Sequence, residues 1–159
     1  MKTIGVLLAG ILAVPAFAQS IEGYWQDTER RILYSPDAPS GYVFGGWTAL
    51  DQGQTYPAAK HIRRAGAAYE LDDLLYDNDE AIKVLGAGPD RIDFTRTNRL
   101  SGCATSHACK LEGANRLFCA LETRCAEKIV WQGEERYERR ASCERDGKRQ
   151  AQGIPVRCR

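Results

Sequence analysis

Hydrophobic and polar residues alternate with a period of two in several short stretches of the chain, as they do in strands with one wet face. The clearest case is the segment 91–98, in which Ile92 and Phe94 alternate with charged and hydroxyl-bearing residues. Ile82 and Val84 supply matching apolar positions shortly before it, and the intervening sequence GAGPD favours a turn. These residues therefore predict a β-hairpin.

Most of the other segments indicate a meander of similar short strands. Strands are predicted at 22–34, 42–50, 67–76, 80–85, 91–98 and 129–143, with two more in a cysteine-rich hairpin. The segment 58–64 fits either a strand or one helical turn. The charged middle of 129–143 also permits a helix, and Gly133 is a possible bulge. About eight strands with almost no helix are typical of an all-β protein, so we expect an antiparallel meander that forms a small barrel or a sandwich.

The cysteine-rich hairpin is predicted from a mirror symmetry in the spacing of four of the six cysteines. Five residues separate Cys103 from Cys109 and Cys119 from Cys125, and the centre of symmetry falls on Ala114. A three-residue loop at this centre makes each cysteine of one strand face its mirror image on the other. The later half of the fold is therefore expected to be stapled by disulfides.

The same register sorts the other hairpin residues into two faces. His107 lies opposite Leu121 on a mostly apolar face, and Lys110 lies opposite Phe118 on a wet one. In the loop, Asn115 is suited to the left-handed conformation that such turns need.

Strand geometry restricts the pairing of the cysteines. An extended strand holds Cys103 and Cys109 roughly 20 Å apart, whereas a disulfide needs Cα atoms about 4.4–6.8 Å apart. Of the 15 pairings that six cysteines allow, the nested set is therefore favoured. The predicted disulfides are Cys103 with Cys125, Cys109 with Cys119, and Cys143 with Cys158.

The first 18 residues resemble a secretory signal peptide. Lys2 is followed by an apolar run at 4–14 and by the small-x-small sequence Ala16-Phe17-Ala18. The apolar run is shorter than the roughly 20 residues that span a bilayer. We therefore expect cleavage near Ala18 and a periplasmic or secreted protein, in which oxidising conditions favour disulfides.

The expected organisation is a signal peptide at 1–18, a single β domain at 19–143 and a polar tail at 144–159, which Cys158 ties back. At about 140 residues, one domain buries roughly 68–70% of its unfolded surface, so a single core is feasible. Basic and acidic residues balance, with 22 of one and 21 of the other. This balance gives no reason to expect nucleic acid as a partner or stable membrane insertion.

The sequence Gly23-Tyr24-Trp25, at the entry to the first predicted strand, resembles the Gly-x-Trp element of lipocalins. In that family the tryptophan closes one end of an up-and-down barrel, and an arginine from a late strand packs on its ring. The resemblance implies a barrel that holds a small apolar ligand, with Gly23 and Trp25 as the matching residues. The arginines available for the packing role are Arg136, Arg139 and Arg140, and the spacing selects none of them.

The two histidines of the chain are candidate catalytic or ligand-binding residues. His107 shares a face with two predicted cystines and is expected to be a packed residue; a role as ligand or base beside Ser106 is the alternative. His61 lies among basic residues and is expected at the surface.

An acidic block at 70–80 contains no basic residue. Residues 77–79 offer oxygen ligands for calcium, but the D-x-[DN]-x-[DN]-G loop is absent, so a solvated turn is the favoured interpretation. The chain contains no phosphate loop, nucleophile elbow or metal-binding helix motif, so neither a metal nor a cofactor is expected.

The favoured function is that of an exported, non-catalytic binding or interaction protein for an unidentified small apolar ligand or protein partner. Trp25, Trp47 and Trp131 are the candidate binding residues, with core packing as their alternative role. A small hydrolase that uses carboxylates, or a structural envelope-associated protein, are the alternative functions.

Overall fold

The computed structural model describes residues 19–28, 33–34, 43–44, 47–51, 54–74, 80–99, 101–145 and 156–159. At 33–34, 43–44, 47–51, 54–57 and 80 it describes the backbone only. The strands are β1 (Gly23–Asp27), β2 (Leu33–Tyr34), β3 (Val43–Phe44), β4 (Trp47–Asp51), β5 (Gln54–Pro57), β6 (Ala59–Ala65), β7 (Ala68–Asp73), β8 (Glu80–Ala87), β9 (Arg91–Asn98), β10 (Ala104–Leu111), β11 (Arg116–Cys125), β12 (Lys128–Arg140), β13 (Cys143–Arg145) and β14 (Val156–Cys158).

Eight of these strands form one antiparallel sheet in the order β7-β6-β1-β12-β11-β10-β9-β8. The first strand, β1, pairs with both β6 and β12. The two edge strands, β7 and β8, approach each other, so that the sheet curls into a nearly closed barrel. This architecture confirms the all-β prediction and favours its barrel alternative over the sandwich.

Because neighbouring strands are antiparallel, the connections alternate between the two ends of the barrel. The turns at 66–67, 88–90 and 112–115 lie at one end, where β1 also begins; we call it the tight-turn end. The connections at 28–58 and 74–79 leave from the other, which we call the long-connection end.

The cysteine-rich hairpin has the register that its symmetry predicts. β10 pairs with β11 so that Cys109 lies opposite Cys119 and His107 lies opposite Leu121. Alternate residues of both strands are buried, which gives one inner and one outer face. The disulfides are Cys103–Cys125, Cys109–Cys119 and Cys143–Cys158, as predicted.

Two details of the predicted turns and bulges are wrong. The left-handed residue in the hairpin loop is Gly113, with φ of 83°, and not Asn115. Glycine adopts this conformation without the steric cost of a Cβ atom. The irregularity in β12 lies opposite the step from Thr123 to Arg124, whereas Gly133 pairs with Leu121 in regular register.

Several predicted element boundaries also need correction. The segment 58–64 is the strand β6, and the helical alternative for 129–143 is wrong, because β12 is a continuous strand. The predicted strand 22–34 divides into β1 and β2, and 42–50 divides into β3 and β4. In the tail, predicted to be irregular, β14 pairs with β13.

Apolar side chains fill the tight-turn end of the barrel. The fully buried residues there include Ile21, Trp25, Ile62, Ile92 and Leu117. A smaller cluster forms where Cys143 and Val156 of the β13–β14 pair pack against Ala58 and Ala59. The middle of the barrel, towards the long-connection end, is lined by a different set of side chains.

Candidate functional site

Charged and polar side chains occupy inward-facing positions in the barrel beyond its apolar end. Each is less than a tenth exposed. We call this set the interior polar cluster; it comprises Lys60, Asp73, Arg96, His107, Glu135 and Tyr137. Buried charges are costly unless they are paired, so the cluster is a candidate functional site.

Asp73 of β7 binds two cations from neighbouring parts of the barrel. Its Oδ2 atom lies 3.4 Å from Nζ of Lys60 and 3.5 Å from Nη1 of Arg96. Both distances exceed the roughly 2.7–2.9 Å of a strong charge-assisted hydrogen bond. Nζ of Lys60 also lies 5.1 Å from the ring centroid of Tyr137 and 5.9 Å from that of Phe94.

The second polar pair of the cluster lies on β12. The Tyr137 hydroxyl donates a hydrogen bond to Oε2 of Glu135. Burial first, and then the negative charges of Glu135 and Asp27, raise the pKa of Tyr137 well above 10. The phenol therefore stays protonated at neutral pH and remains a hydrogen-bond donor.

His107 is the member of the cluster with unused hydrogen-bonding groups. Its ring stacks on Phe94, with 4.2 Å between centroids, and neither ring nitrogen has a hydrogen-bond partner among the described residues. Nε2 lies 4.0 Å from Oε2 of Glu135, which is too long for a hydrogen bond. Burial, then the positive charges of Lys60 and Arg96, lower the pKa of His107 well below 6.5, so the imidazole is neutral.

Towards the long-connection end, the inner wall carries Thr105, Thr123 and Trp131. The two threonine hydroxyls share a hydrogen bond of 2.9 Å. Trp131 is half-buried and its ring lies over Gly133, where an added Cβ would come within 2.3 Å of the indole. The missing side chain at position 133 thus gives Trp131 room to lie inside the barrel wall.

At the opposite end, Trp25 is completely buried and its indole N–H donates to the carbonyl of Ile21 at 2.8 Å. The guanidinium of Arg139 lies over the indole, 4.3 Å from the ring centroid. Arg139 also donates to the carbonyl oxygens of Ser20, Glu22 and Ala114. It therefore fastens the segment that precedes β1 to the hairpin loop across the tight-turn end.

Gly23 is required by this arrangement. Its φ of 132° is unfavourable for residues with a side chain, and an added Cβ would lie 2.7 Å from Nη1 of Arg139. Of the three arginines considered for packing on Trp25, the structure selects Arg139. Arg136 packs instead on Phe118.

The three predicted binding tryptophans do not form one site. Trp25 lies in the apolar end and Trp131 near the long-connection end, whereas the side chain of Trp47 is outside the described residues. His61 stacks on Tyr24, with 4.1 Å between ring centroids.

The acidic block is not a simple solvated turn. Asp73 is 4% exposed and belongs to the interior cluster. Glu70 and Asp72 bind Arg63 on the neighbouring strand β6. The calcium hypothesis falls on 77–79, outside the described residues, and the part of the chain that is described contains no group of three side chains suited to a metal.

Most of the interior polar cluster was missed by sequence reasoning. The alternation of inward and outward residues along these strands did contain a signal. Arg96 falls on the inward face of β9 with Ile92 and Phe94, and Glu135 falls on the inward face of β12 with Tyr137. A charged residue at an inward position is normally assigned to a strand end or a register error. Lys60 lies opposite Asp73 in the β6–β7 hairpin, and only the approach of the two edges of the sheet brings Arg96 to the same carboxylate.

A groove of about 450 Å³ lies on the outer surface near the tight-turn end. It is lined by Asn115, Arg116, Glu138, Arg139, Arg140 and Ala141. Two of its guanidinium groups are already engaged: that of Arg140 binds Gln26 and Glu138, and that of Arg139 binds backbone carbonyl oxygens.

Comparison of the chain with models of protein families, with curated proteins and with solved structures finds no match. The barrel is compatible with a calycin-like fold, the broader class to which lipocalins belong. No helix among the described residues is long and apolar enough to cross a membrane. The three disulfides indicate an oxidising environment.

Proposed function

We propose that the protein is an exported, non-catalytic binding protein that holds a small ligand inside its barrel. The observation that carries this proposal is the fully buried imidazole of His107, which has no hydrogen-bond partner in the described structure and adjoins buried charges. An unsatisfied buried polar group costs about 1–3 kcal/mol. A ligand that supplies the missing partner recovers this cost when it binds.

The packing at the tight-turn end supports a lipocalin-like barrel. Gly23, Trp25 and Arg139 occupy the three roles that the sequence resemblance implies for glycine, tryptophan and a late-strand arginine. In that arrangement one end is plugged by the tryptophan, so a ligand enters from the other. The longer connections start from that other end here, after Thr28 and after Leu74.

Export is the second part of the proposal. The disulfides are consistent with a compartment outside the cytoplasm, which supports the signal peptide proposed for residues 1–18. Cleavage near Ala18 then places the barrel in the periplasm or outside the cell.

The pair of His107 and Glu135 is the observation that favours a hydrolase as an alternative. The two side chains are 4.0 Å apart, so no hydrogen bond from Glu135 orients the imidazole as the third group of a catalytic triad would. The lowered pKa of His107 also weakens it as a base. Binding is therefore the better account of the same residues.

A protein partner is less well supported than a small ligand. Among the described residues, the large exposed hydrophobic side chains are Leu85 at 59% and Ile129 at 41%. Two such residues do not make the contiguous patch that marks a protein interface.

Native mass spectrometry of the full chain, purified from its own host without denaturation, tests the proposal. We expect a mass in excess of the processed chain that disappears after unfolding and refolding. The variant His107→Leu, purified in the same way, should retain less of it. Protein that carries no excess mass, and that binds nothing when refolded with a small-molecule extract of the host, would contradict the proposal.

A further inference from the structure

The chemistry of the ligand follows from two buried side chains with spare hydrogen-bonding capacity, and the inference rests on the proposed function. Lys60 is 1% exposed, and the hydrogen bond that it donates to Asp73 is a long one, 3.4 Å. An ammonium has three donors. Neither nitrogen of His107 has a partner among the described residues. Both side chains lie near the same ring, that of Phe94.

Lys60 and His107 can both donate a hydrogen bond to the same acceptor group. An ammonium only donates, and a neutral imidazole donates from one of its nitrogens. A negatively charged oxygen forms the strongest hydrogen bonds with such donors. Arg96 adds a second positive charge at the same place, because it shares the Asp73 oxygen with Lys60.

The negative groups that face this region limit where an anion can lie. Glu135 is 4.0 Å from Nε2 of His107 and accepts the Tyr137 hydroxyl, and Asp27 is also buried nearby. An anion is repelled by these carboxylates. Its favourable position is therefore next to Nζ of Lys60, where two cations face the single carboxylate of Asp73.

We infer that the barrel binds a small monocarboxylate, whose carboxylate accepts hydrogen bonds from Lys60 and His107. Inward-facing apolar side chains that are only partly buried are available to the rest of such a molecule. These are Ile82, Val84 and Trp131, which pack against the apolar core. The ligand is thus amphipathic, with its polar end among the buried charges, and differs from the wholly apolar ligand that the sequence suggested.

Three probes of equal chain length test this inference on the refolded protein: octanoate, octanol and octylammonium, each titrated at pH 7.5 by calorimetry. Octanoate should bind at least tenfold more tightly than either of the others. The chain has only two histidines, so imidazole ¹⁵N spectra provide a local readout. Octanoate should shift the signals of His107 and leave those of His61, which stacks on Tyr24, unchanged.

Variants locate the binding site. Lys60→Met should weaken octanoate binding at least tenfold, because it removes the buried ammonium. Lys110→Met is the matched control, since this lysine lies on the outer face near Phe118, and it should leave binding unchanged. If Lys60→Met does not fold, as judged by near-ultraviolet circular dichroism, His107→Leu replaces it and should weaken binding at least fivefold.

Four outcomes overturn the inference: equal binding of octanol, tighter binding of octylammonium, octanoate binding that neither interior variant weakens, or no binding of any probe. Its failure is distinguishable from failure of the proposed function. A retained neutral or cationic molecule in the native mass spectrum would leave the binding function standing and remove only the monocarboxylate.

Discussion

At the scale of single residues, the imidazole of His107 is a buried titratable group whose ring nitrogens have no hydrogen-bond partner among the described residues. It is fully buried and stacked on Phe94, and burial, followed by the positive charges of Lys60 and Arg96, lowers its pKa and keeps it neutral. Its protonation is therefore coupled to unfolding. The unfolded chain binds a proton at this residue near pH 6.5, whereas the native chain does so only at much lower pH.

The first prediction concerns pH. Below about pH 6.5, His107 should reduce the free energy of unfolding by about 1.4 kcal/mol per pH unit, because only the unfolded state takes up the proton. Urea unfolding between pH 7.5 and 5.5 measures this slope. His107→Leu should flatten the profile and His61→Leu should not. Identical profiles for the wild type and His107→Leu would show that the imidazole is not buried in neutral form.

The second prediction concerns the arginine that packs on Trp25. Arg139→Met should lower the free energy of unfolding by about 2–4 kcal/mol, because hydrogen bonds from a charged group to three carbonyl oxygens are lost. Arg136→Met is the control, since its exposed ion pair with Glu134 should be worth less than about 1 kcal/mol. Equal losses in chemical denaturation would mean that Arg139 does not fasten the tight-turn end.

The third prediction concerns the close contact of Gly133 with Trp131. Gly133→Ala should cost about 1–3 kcal/mol by overpacking, because its Cβ would displace the indole ring. In a Trp131→Ala background the same change should cost almost nothing. A double-mutant cycle by urea unfolding measures the coupling, and additive effects would place the indole elsewhere.

At the scale of elements, the hairpin of β10 and β11 was predictable in detail. Its cysteines repeat symmetrically, and a two-residue period leaves one register in which both nested disulfides form. The conformation of its loop was not predictable in this way, because Gly113 and Asn115 are both suited to a left-handed residue. The alternating pattern around Phe94 likewise predicted β9 correctly.

Strands whose conformation depends on pairing with strands distant in sequence were predicted less well. β6 contains the basic sequence KHIRR, and it is a strand because it lies between β1 and β7. The charges of β12 suggested a helix, yet this strand pairs along β11 on one side and β1 on the other. In both cases the tertiary pairing outweighs local propensity.

The fourth prediction separates the roles of two disulfides. Replacing Cys103 and Cys125 by alanine should lower global stability by about 2–4 kcal/mol, since a long loop within the barrel sheet is no longer closed. Replacing Cys143 and Cys158 should instead loosen the β13–β14 pair, whose neighbouring amides bond Ala141 and Ser142 to Arg159.

Hydrogen exchange with mass spectrometry distinguishes these two effects. In the second variant, faster exchange should be confined to the peptides that carry β13 and β14. Accelerated exchange throughout the barrel in that variant would show that the β13–β14 disulfide supports the whole fold.

At the scale of the whole molecule, the barrel combines an apolar plug with a charged interior. The plug was predictable from Gly23 and Trp25, whereas the selection of Arg139 required the pairing of β12 with β1. The charged interior was not predictable. Lys60 and Asp73 lie opposite each other in the β6–β7 hairpin, but only the curling of the sheet brings Arg96 and Glu135 into the same interior.

The central claim is that a bound ligand supplies the hydrogen-bond partner that His107 lacks. The imidazole ¹⁵N spectrum of the native protein, recorded before and after unfolding and refolding, tests this claim most directly. The account predicts that the signals of His107 change when the retained molecule is removed, while those of His61 remain in place. Signals of His107 that are identical in the two preparations, together with no change in native mass, would contradict it.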